Sequence, residues 1–398
     1  MRRGLRRCRG RLRRASRLRP ARCRAPRPGG RRARSRAARH GIRPRRPGRA
    51  PRRRLRRHRS PWGGGGEVTG RRVAVASAVW LAAALAGLAV GPSRIRAMDA
   101  LHALWSGPGA DGLAAAVVWE LRMPRVLVAS LVGAALGAAG AVTQGLFRNP
   151  MAGPGVLGLG ACAAFSATCA VALGLDAHGP MVVPAAAAAG VAVGLVLLLG
   201  VGRPGASPAT LLLSGIALGA FASALSTLVL ALSTEQWDLA RKVLSWLMGS
   251  FESRSYDHVA LAAGPVTAGI VLAWMLRGDL DVLTLGHEAA LSLGVTPRRT
   301  GLFAVATVAL LAGAATAVAG AIGFVGLVVP HLVRLRAGPR HGPLIVLSAL
   351  WGAAGLVGVD AAARSLLAVS IPPGVATSLV GAPIFLWMLR RAARGWLA

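Results

Sequence analysis

The most constraining feature of this sequence is a succession of long apolar runs that carry few charges. A helix rises about 1.5 Å per residue, so roughly 20 apolar residues cross the hydrocarbon of a bilayer, about 30 Å thick. Because backbone in hydrocarbon must satisfy its own hydrogen bonds, runs of this length indicate helices. The sequence therefore predicts an all-α, polytopic membrane protein with about ten transmembrane helices. The predicted spans are 73–91, 126–147, 155–175, 180–201, 209–232, 258–276, 300–320, 321–335, 343–363 and 374–389.

Charge is distributed very unevenly along the chain. Hydrophobic residues make up 54% of it and charged residues 16%, with a formal net charge of +36. Much of that charge lies in the first 60 residues, which are rich in Arg and contain no Asp or Glu. The remainder is too apolar for an ordinary soluble domain.

The segment 1–66 is predicted to be a disordered, Arg-rich N-terminal extension of a membrane domain at 67–398, since Arg, Pro and Gly offer little to bury. It could bind nucleic-acid phosphates or anionic lipid headgroups. It could also be translated sequence upstream of the true start in a GC-rich gene. We favour this last interpretation, because Arg is used almost to the exclusion of Lys, and we expect no nucleic-acid partner.

Small residues recur at close spacing within the apolar runs. Gly133 and Gly137, like Gly215 and Gly219, lie four residues apart and would let helix backbones approach closely. With the N-terminus assigned to the cytoplasm, the inner loops carry most of the Arg residues and the outer loops most of the acids, as the positive-inside rule expects. Cys162 lies in an apolar stretch without metal-ligand spacing, so we expect a small buried residue and no metal site.

The sequence offers no energy source of its own for a transport function. A phosphate-binding P-loop needs a Lys after a glycine-rich turn, and the only Lys, Lys242, has no glycine before it. Acidic residues in mid-span, which an ion-coupled secondary carrier would use, are scarce. A partner subunit that hydrolyses ATP is therefore the favoured source of energy, and the secondary carrier is the alternative of another class.

A long loop at 277–299, predicted to lie on the inner side, contains a short amphipathic helix closed by Gly294. Its leucine side chains could pack into a groove of a partner protein. The alternative is a helix that lies on the lipid surface.

Three Arg residues are predicted to converge on the outer side. Arg122 and Arg125 precede the second predicted span, and Arg364 follows the ninth. Guanidinium groups pair well with carboxylates, so they could form an electropositive rim for an acidic protein or an anionic ligand. The alternatives are headgroup anchoring and an ion pair between Arg364 and Asp360, four residues apart on one helix.

Ordered motifs over nearly the whole membrane portion resemble the permease subunit of bacterial ABC importers for iron-siderophore complexes, haem and vitamin B12. The extension 1–66 and Met151, where Leu is more usual, depart from that family's pattern. The motifs are Arg122-x-Pro124-Arg125, the stretch from Gly140 to Gly158, Leu213-Ser-Gly215-Ile-Ala-Leu-Gly219, Trp246-Leu-Met-Gly249, the loop from Leu285 to Val295, the block 323–334 and Gly381-Ala-Pro383.

The resemblance implies an iron-siderophore importer in the bacterial cytoplasmic membrane, with haem or cobalamin import as the alternative. The chain itself would be no enzyme and hold no cofactor or metal. Two permease chains, identical or related, would form a dimer surrounded by membrane lipid. Two ABC ATPase subunits would bind on the cytoplasmic face, and a solute-binding protein would dock outside.

The resemblance also implies roles for particular residues. Arg122, Arg125 and Arg364 would dock the binding protein. The ATPase-coupling segment would comprise Thr284, Leu285, Gly286, His287, Glu288, Ala289, Ala290, Leu291, Gly294 and Val295. The translocation path or its gate would involve Gln144, Arg148, Asn149, Pro150, Gly323, Gly326, Pro330 and His331.

Overall fold

A computed structural model describes residues 65–91, 95–201, 207–233, 237–365 and 371–396. Most of the predicted N-terminal extension, residues 1–64, lies outside these ranges. The described residues form helices and contain no strand. The helices are α1 Gly65–Ala89, α2 Ala97–Ser106, α3 Leu113–Ala116, α4 Met123–Leu146, α5 Leu159–Ala172, α6 Val182–Val201, α7 Pro208–Leu232, α8 Trp237–Leu247, α9 Tyr256–Met275, α10 Arg277–Leu283, α11 His287–Ser292, α12 Pro297–Ala319, α13 Val325–Ala337, α14 His341–Ser365 and α15 Pro373–Trp396.

The predicted all-α, polytopic class is confirmed. Every one of the ten predicted runs contains a helix, and in the described part of the chain 8 helices are long and apolar enough to cross a membrane. The other two, α5 with 14 residues and α13 with 13, are too short to span the hydrocarbon as straight helices. The ten predicted helices are therefore present in the described part of the chain, as eight long helices and two shorter ones.

The second predicted span begins earlier than its apolar run. Instead of starting at 126, the helix is continuous over Leu113–Leu146, 34 residues, and includes Arg122 and Arg125. A π-helical turn, Val117–Arg122, interrupts it just before Pro124. The wider turn accommodates Pro124, which lacks the N–H that an α-helical bond would use there.

Helix α4 lies at the centre of the bundle, packed against α9, α12, α13 and α14. At three glycines of α4 there is no room for a Cβ, because backbone of a neighbouring helix touches the glycine. The predicted close packing at Gly133 and Gly137 is thereby confirmed, and Gly215 and Gly219 likewise pack against the backbone near Gly158. The three contacts of α4 are Gly133 with Gly352, Gly137 with Ser348, and Gly140 with Gly326.

The predicted span 321–335 is helical only from Val325. Between α12 and α13 the backbone leaves the helical region, with φ of 72° at Gly320 and 64° at Phe324. Gly326, at the beginning of α13, already lies against the carbonyl of Leu136 in the middle of α4. Helix α13 is therefore confined to one half of the bundle.

The two ends of the bundle carry different sets of polar contacts. The end of α1, the beginning of the long α3–α4 helix and the end of α14 meet at one of them, which we name the arginine end. The end of α4, helix α10 and the beginnings of α12 and α14 meet at the opposite end, which we name the loop end. The three arginines predicted for the outer side thus lie at the arginine end, and the loop predicted for the inner side lies at the loop end.

Candidate functional site

Arg122 and Arg364 bind the last carbonyl groups of α1 at the arginine end. These carbonyls have no partner within their own helix, and the C-terminus of a helix carries partial negative charge. The two side chains therefore complete α1 and fix it to α4 and α14. The acceptors are Leu88 O at 2.6 Å and Ala89 O at 2.9 Å for Arg122, and Val90 O at 3.2 Å and Gly87 O at 3.3 Å for Arg364.

Asp360 lies between two of the arginines. Its carboxylate accepts two hydrogen bonds from Arg125, at 2.8 and 3.0 Å, in a bidentate pair. Arg364 lies 3.1 Å from the same carboxylate, which confirms the ion pair weighed from the sequence. The predicted convergence of Arg122, Arg125 and Arg364 is confirmed as geometry.

The arginines differ in their access to the surface. Arg122 is buried and the side chain of Arg364 is 5% exposed, whereas the side chain of Arg125 is 14% exposed. Arg125 is therefore the most accessible of the three guanidinium groups, and Arg122 and Arg364 hold the cluster together.

The predicted ATPase-coupling segment, Thr284 to Val295, lies at the loop end. Gly286, with φ of 115°, precedes α11, and Gly294, with φ of 81°, follows it. The N–H of Val295 donates to Ala290 O at 2.9 Å, the closing bond of a Schellman motif. The predicted short helix closed by Gly294 is thus confirmed.

The segment presents apolar side chains outward. Ala290 is buried against the bundle, while Leu285, Leu291 and Leu293 are 66%, 53% and 60% exposed. Side chains of this kind that protrude from a short helix suit the groove of a partner protein. Of the other predicted members, Thr284, His287, Glu288 and Gly294 are exposed, and Gly286, Ala289 and Val295 are half-buried.

All the predicted path residues except Gly323 lie in two places. Gln144 is 2% exposed, and its amide donates to Leu327 O at 3.1 Å, which joins α4 to α13. Gly326, which touches Gly140 of α4, and Pro330 are also buried. Arg148, Asn149 and Pro150 lie exposed in the turn after α4, and the His331 ring contacts Pro150 O at 3.3 Å.

An open, mostly apolar cavity of about 720 Å³ lies beside α15. Gly323 is the one predicted path residue among those that line it. The other lining residues were not predicted from the sequence, although the Trp246–Gly249 and Gly381–Pro383 motifs that carry the family resemblance border this cavity. The further lining residues are Leu247, Met248, Ala321, Gly374, Val375, Ser378, Leu379, Ala382 and Pro383.

The sequence is similar to a known family and to several known permeases. The model of the FecCD transport family matches residues 79–391. The chain is 41% identical over 295 residues to the vitamin B12 import system permease BtuC of Vibrio cholerae, covering 72% of this chain and 87% of that one. It is 38% identical over 288 residues to the cobalamin import permease BtuC of Halobacterium salinarum, covering 71% and 75%.

Two further comparisons agree. The chain is 37% identical over 287 residues to the ABC transporter permease YvrB of Bacillus subtilis, covering 70% of this chain and 80% of that one. An inward-facing structure assigned to the metal-chelate type of ABC transporter superposes with a TM-score of 0.71 at 27% identity, covering 81% and 99%.

The apolar helices and these relatives make the chain a multi-pass membrane protein. The family match spans the whole helical bundle, from within α1 to the second half of α15. The chain therefore belongs to the FecCD transport family and is the permease of an ABC importer.

Proposed function

We propose that this permease imports a large metal chelate across the bacterial cytoplasmic membrane, with cobalamin as the first substrate to test. The observation that carries the proposal is the 38–41% identity to permeases named for cobalamin import. The iron-siderophore substrate favoured from the sequence remains a second candidate, supported by the likeness to a metal-chelate type transporter. Haem is the third.

The cavity beside α15 supports import of a large solute without selecting one. Its lining is mostly aliphatic, and the Ser378 hydroxyl is already bonded to Gly374 O at 2.8 Å. Pockets of this size suit drug-sized ligands, and an apolar wall with few convergent polar groups recognises little in detail. Selection of the substrate is therefore assigned to the binding protein.

A second permease chain is proposed to complete the path. The cavity is open, and the adjoining face of α15 exposes Leu379 at 64% and Leu386 at 59%. Helix α7 also exposes apolar side chains, including Leu213 at 65% and Phe221 at 64%. These faces could contact either a second permease chain or lipid. We propose the second chain, because a single cavity of about 720 Å³ would enclose only part of a corrinoid.

The proposed function is tested by reconstitution of the permease in liposomes with its cognate ATPase subunits and binding protein. With ATP inside, we expect uptake of cyanocobalamin above the level of ferric siderophore or haem. The permease alone should neither hydrolyse ATP nor accumulate any of the three. Uptake that persists with an inactive ATPase would contradict the proposal, whereas preferential uptake of an iron chelate would change only the substrate.

A separate prediction concerns the arginine end, where we propose that Arg125 docks an acidic patch of the binding protein. Arg125→Gln should lower the association rate of the binding protein about tenfold at low salt, because long-range attraction between charges accelerates encounter. Raising the salt concentration should reduce the difference. Association can be followed by surface plasmon resonance on nanodisc-embedded complex.

The matched control is Arg299→Gln, which removes an exposed Arg from the beginning of α12 at the loop end. It should leave association of the binding protein unchanged. Equal association rates for Arg125→Gln and the unmodified permease at low salt would exclude the docking role.

A further inference from the structure

The carboxylate of Asp281 joins helix α10 to the beginning of α14. Asp281 Oδ1 accepts a hydrogen bond from the backbone N–H of His341 at 2.8 Å and lies 2.6 Å from Nδ1 of the same residue. Asp281 therefore caps the N-terminus of α14 from another helix. Burial raises the pKa of Asp281, but the hydrogen bonds from His341 outweigh burial and leave that pKa below its ordinary value.

The His341 side of this contact is held rigidly. Its side chain is 0% exposed, and its Nε2 edge lies against Gly145 in the last turn of α4, where a Cβ would have no room. The imidazole is thus enclosed between α4 and α10. A group packed in this way transmits a displacement instead of absorbing it, because protein interiors have little free volume.

Helix α14 leads from this contact to the arginine end. Its 25 residues span about 37 Å at 1.5 Å per residue. Near its far end lie Asp360 and Arg364, the residues bound to Arg125 and to the end of α1. One continuous helix therefore joins the region of the coupling segment to the proposed docking surface.

Helix α10 leads directly into the coupling segment. Thr284, the first residue of that segment, follows α10 immediately, and its hydroxyl donates a hydrogen bond to Asp281 O at 2.6 Å. A second tie joins Asp279 of α10 to the Thr300 hydroxyl of α12 at 3.0 Å. A displacement of α11 by a partner would therefore act directly on α10.

We propose that Asp281 and His341 are positioning residues that make α14 move together with the coupling segment, so that events at the ATPase alter the docking surface and the reverse. This rests on the proposed function and on the ATPase-coupling role that the sequence predicts for residues 284–295. The two sites are then linked by one helix with a defined contact at each end, and their binding free energies are coupled reciprocally. A purely structural cap would stabilise α14 without linking them.

The test uses the complete complex of permease, ATPase and binding protein in nanodiscs. The measured quantity is the ratio of ATP hydrolysis rates with and without substrate-free binding protein. Asp281→Ala should lower this ratio about fivefold, as expected when a coupling contact is lost. Asp281→Asn keeps an oxygen acceptor for the His341 N–H and should lower it less.

Two further variants distinguish a failure of the proposed Asp281–His341 contact from a failure of the coupling role of residues 284–295. Asp176→Ala breaks the exposed ion pair with Lys242 and should leave the ratio unchanged. Leu291→Glu places a charge on the coupling segment and should release the ATPase from the complex. An ATPase that stays bound to Leu291→Glu would overturn the coupling role itself.

The positioning role of Asp281 and His341 is overturned if Asp281→Ala and Asp281→Asn both keep the wild-type ratio. It is also overturned if the two rates fall in equal proportion alongside a lower melting temperature, which is the behaviour of a structural cap. Should Asp281→Ala fail to fold, the ratio measured for Asp281→Asn decides between the two outcomes.

Discussion

Replacement of Asp360 by Asn is expected to destabilise the folded permease by about 3–5 kcal/mol, the range for breaking a buried ion pair by removing one partner. The carboxylate is 3% exposed and faces Arg125 and Arg364 at 2.8 and 3.1 Å. Asn keeps the shape but not the charge, so both guanidinium groups would remain at the arginine end without this counter-ion. The measurement is the melting temperature of purified protein in detergent.

The matched control for this substitution is Asp176→Asn. Asp176 also pairs with a cation, Lys242 at 2.6 Å, but the Lys242 side chain is 60% exposed. Exposed ion pairs contribute only about 0–1 kcal/mol, so the melting temperature should hardly change. Equal effects of the two substitutions would show that Asp360 is no more important than a surface carboxylate.

The sequence was sufficient to predict the features that depend on local chemistry. Gly294 closes α11 because a glycine can adopt the positive φ that ends a helix, and the surrounding leucines are exposed as their pattern indicated. The pair of Asp360 and Arg364 followed from their spacing on one helix. The convergence of Arg122 with Arg364 followed from alternating the predicted helices across the bilayer.

The features that the sequence did not reveal depend on contacts between distant segments. Hydropathy alone could not place the beginning of α13 at Val325, because Ala321 and Ile322 are as apolar as the helix that follows. The amphipathic helix α8, Trp237–Leu247, was missed because it is too short and polar to be a span. The residues lining the cavity come from three separate parts of the chain, and no spacing within one segment reveals them.

The role of the buried polar residues also required the structure. Gln144 was predicted to line the translocation path or its gate, and in the structure its amide donates a hydrogen bond to Leu327 O between α4 and α13. Asp281 was noted only as part of the inner loop. Its contact with His341, 60 positions along the chain, emerges only from the packing of α10 against α14.

The second large effect is expected at Gly140, where α4 touches the first turn of α13. Pro330 has no N–H, so the carbonyl of Gly326, four residues earlier, has no helical donor and lies directly against Gly140. A methyl group at Gly140 would overlap this backbone, which cannot rotate away as a side chain could. Gly140→Ala should therefore cost about 3 kcal/mol or more, at the upper end of the range for overpacked sites.

The same methyl group added elsewhere provides the control. Gly355 lies inside α14, and a Cβ there would meet nothing within 4 Å. Gly355→Ala should leave the melting temperature unchanged or raise it slightly, because Ala favours the helix over Gly by about 0.5–1 kcal/mol. We expect Gly140→Ala alone to lower the melting temperature and abolish uptake in liposomes. If the two variants have equal melting temperatures and equal uptake rates, α13 does not pack against α4 at Gly140. The hydrogen bond from Gln144, one turn further along α4, to Leu327 O would then be in doubt as well.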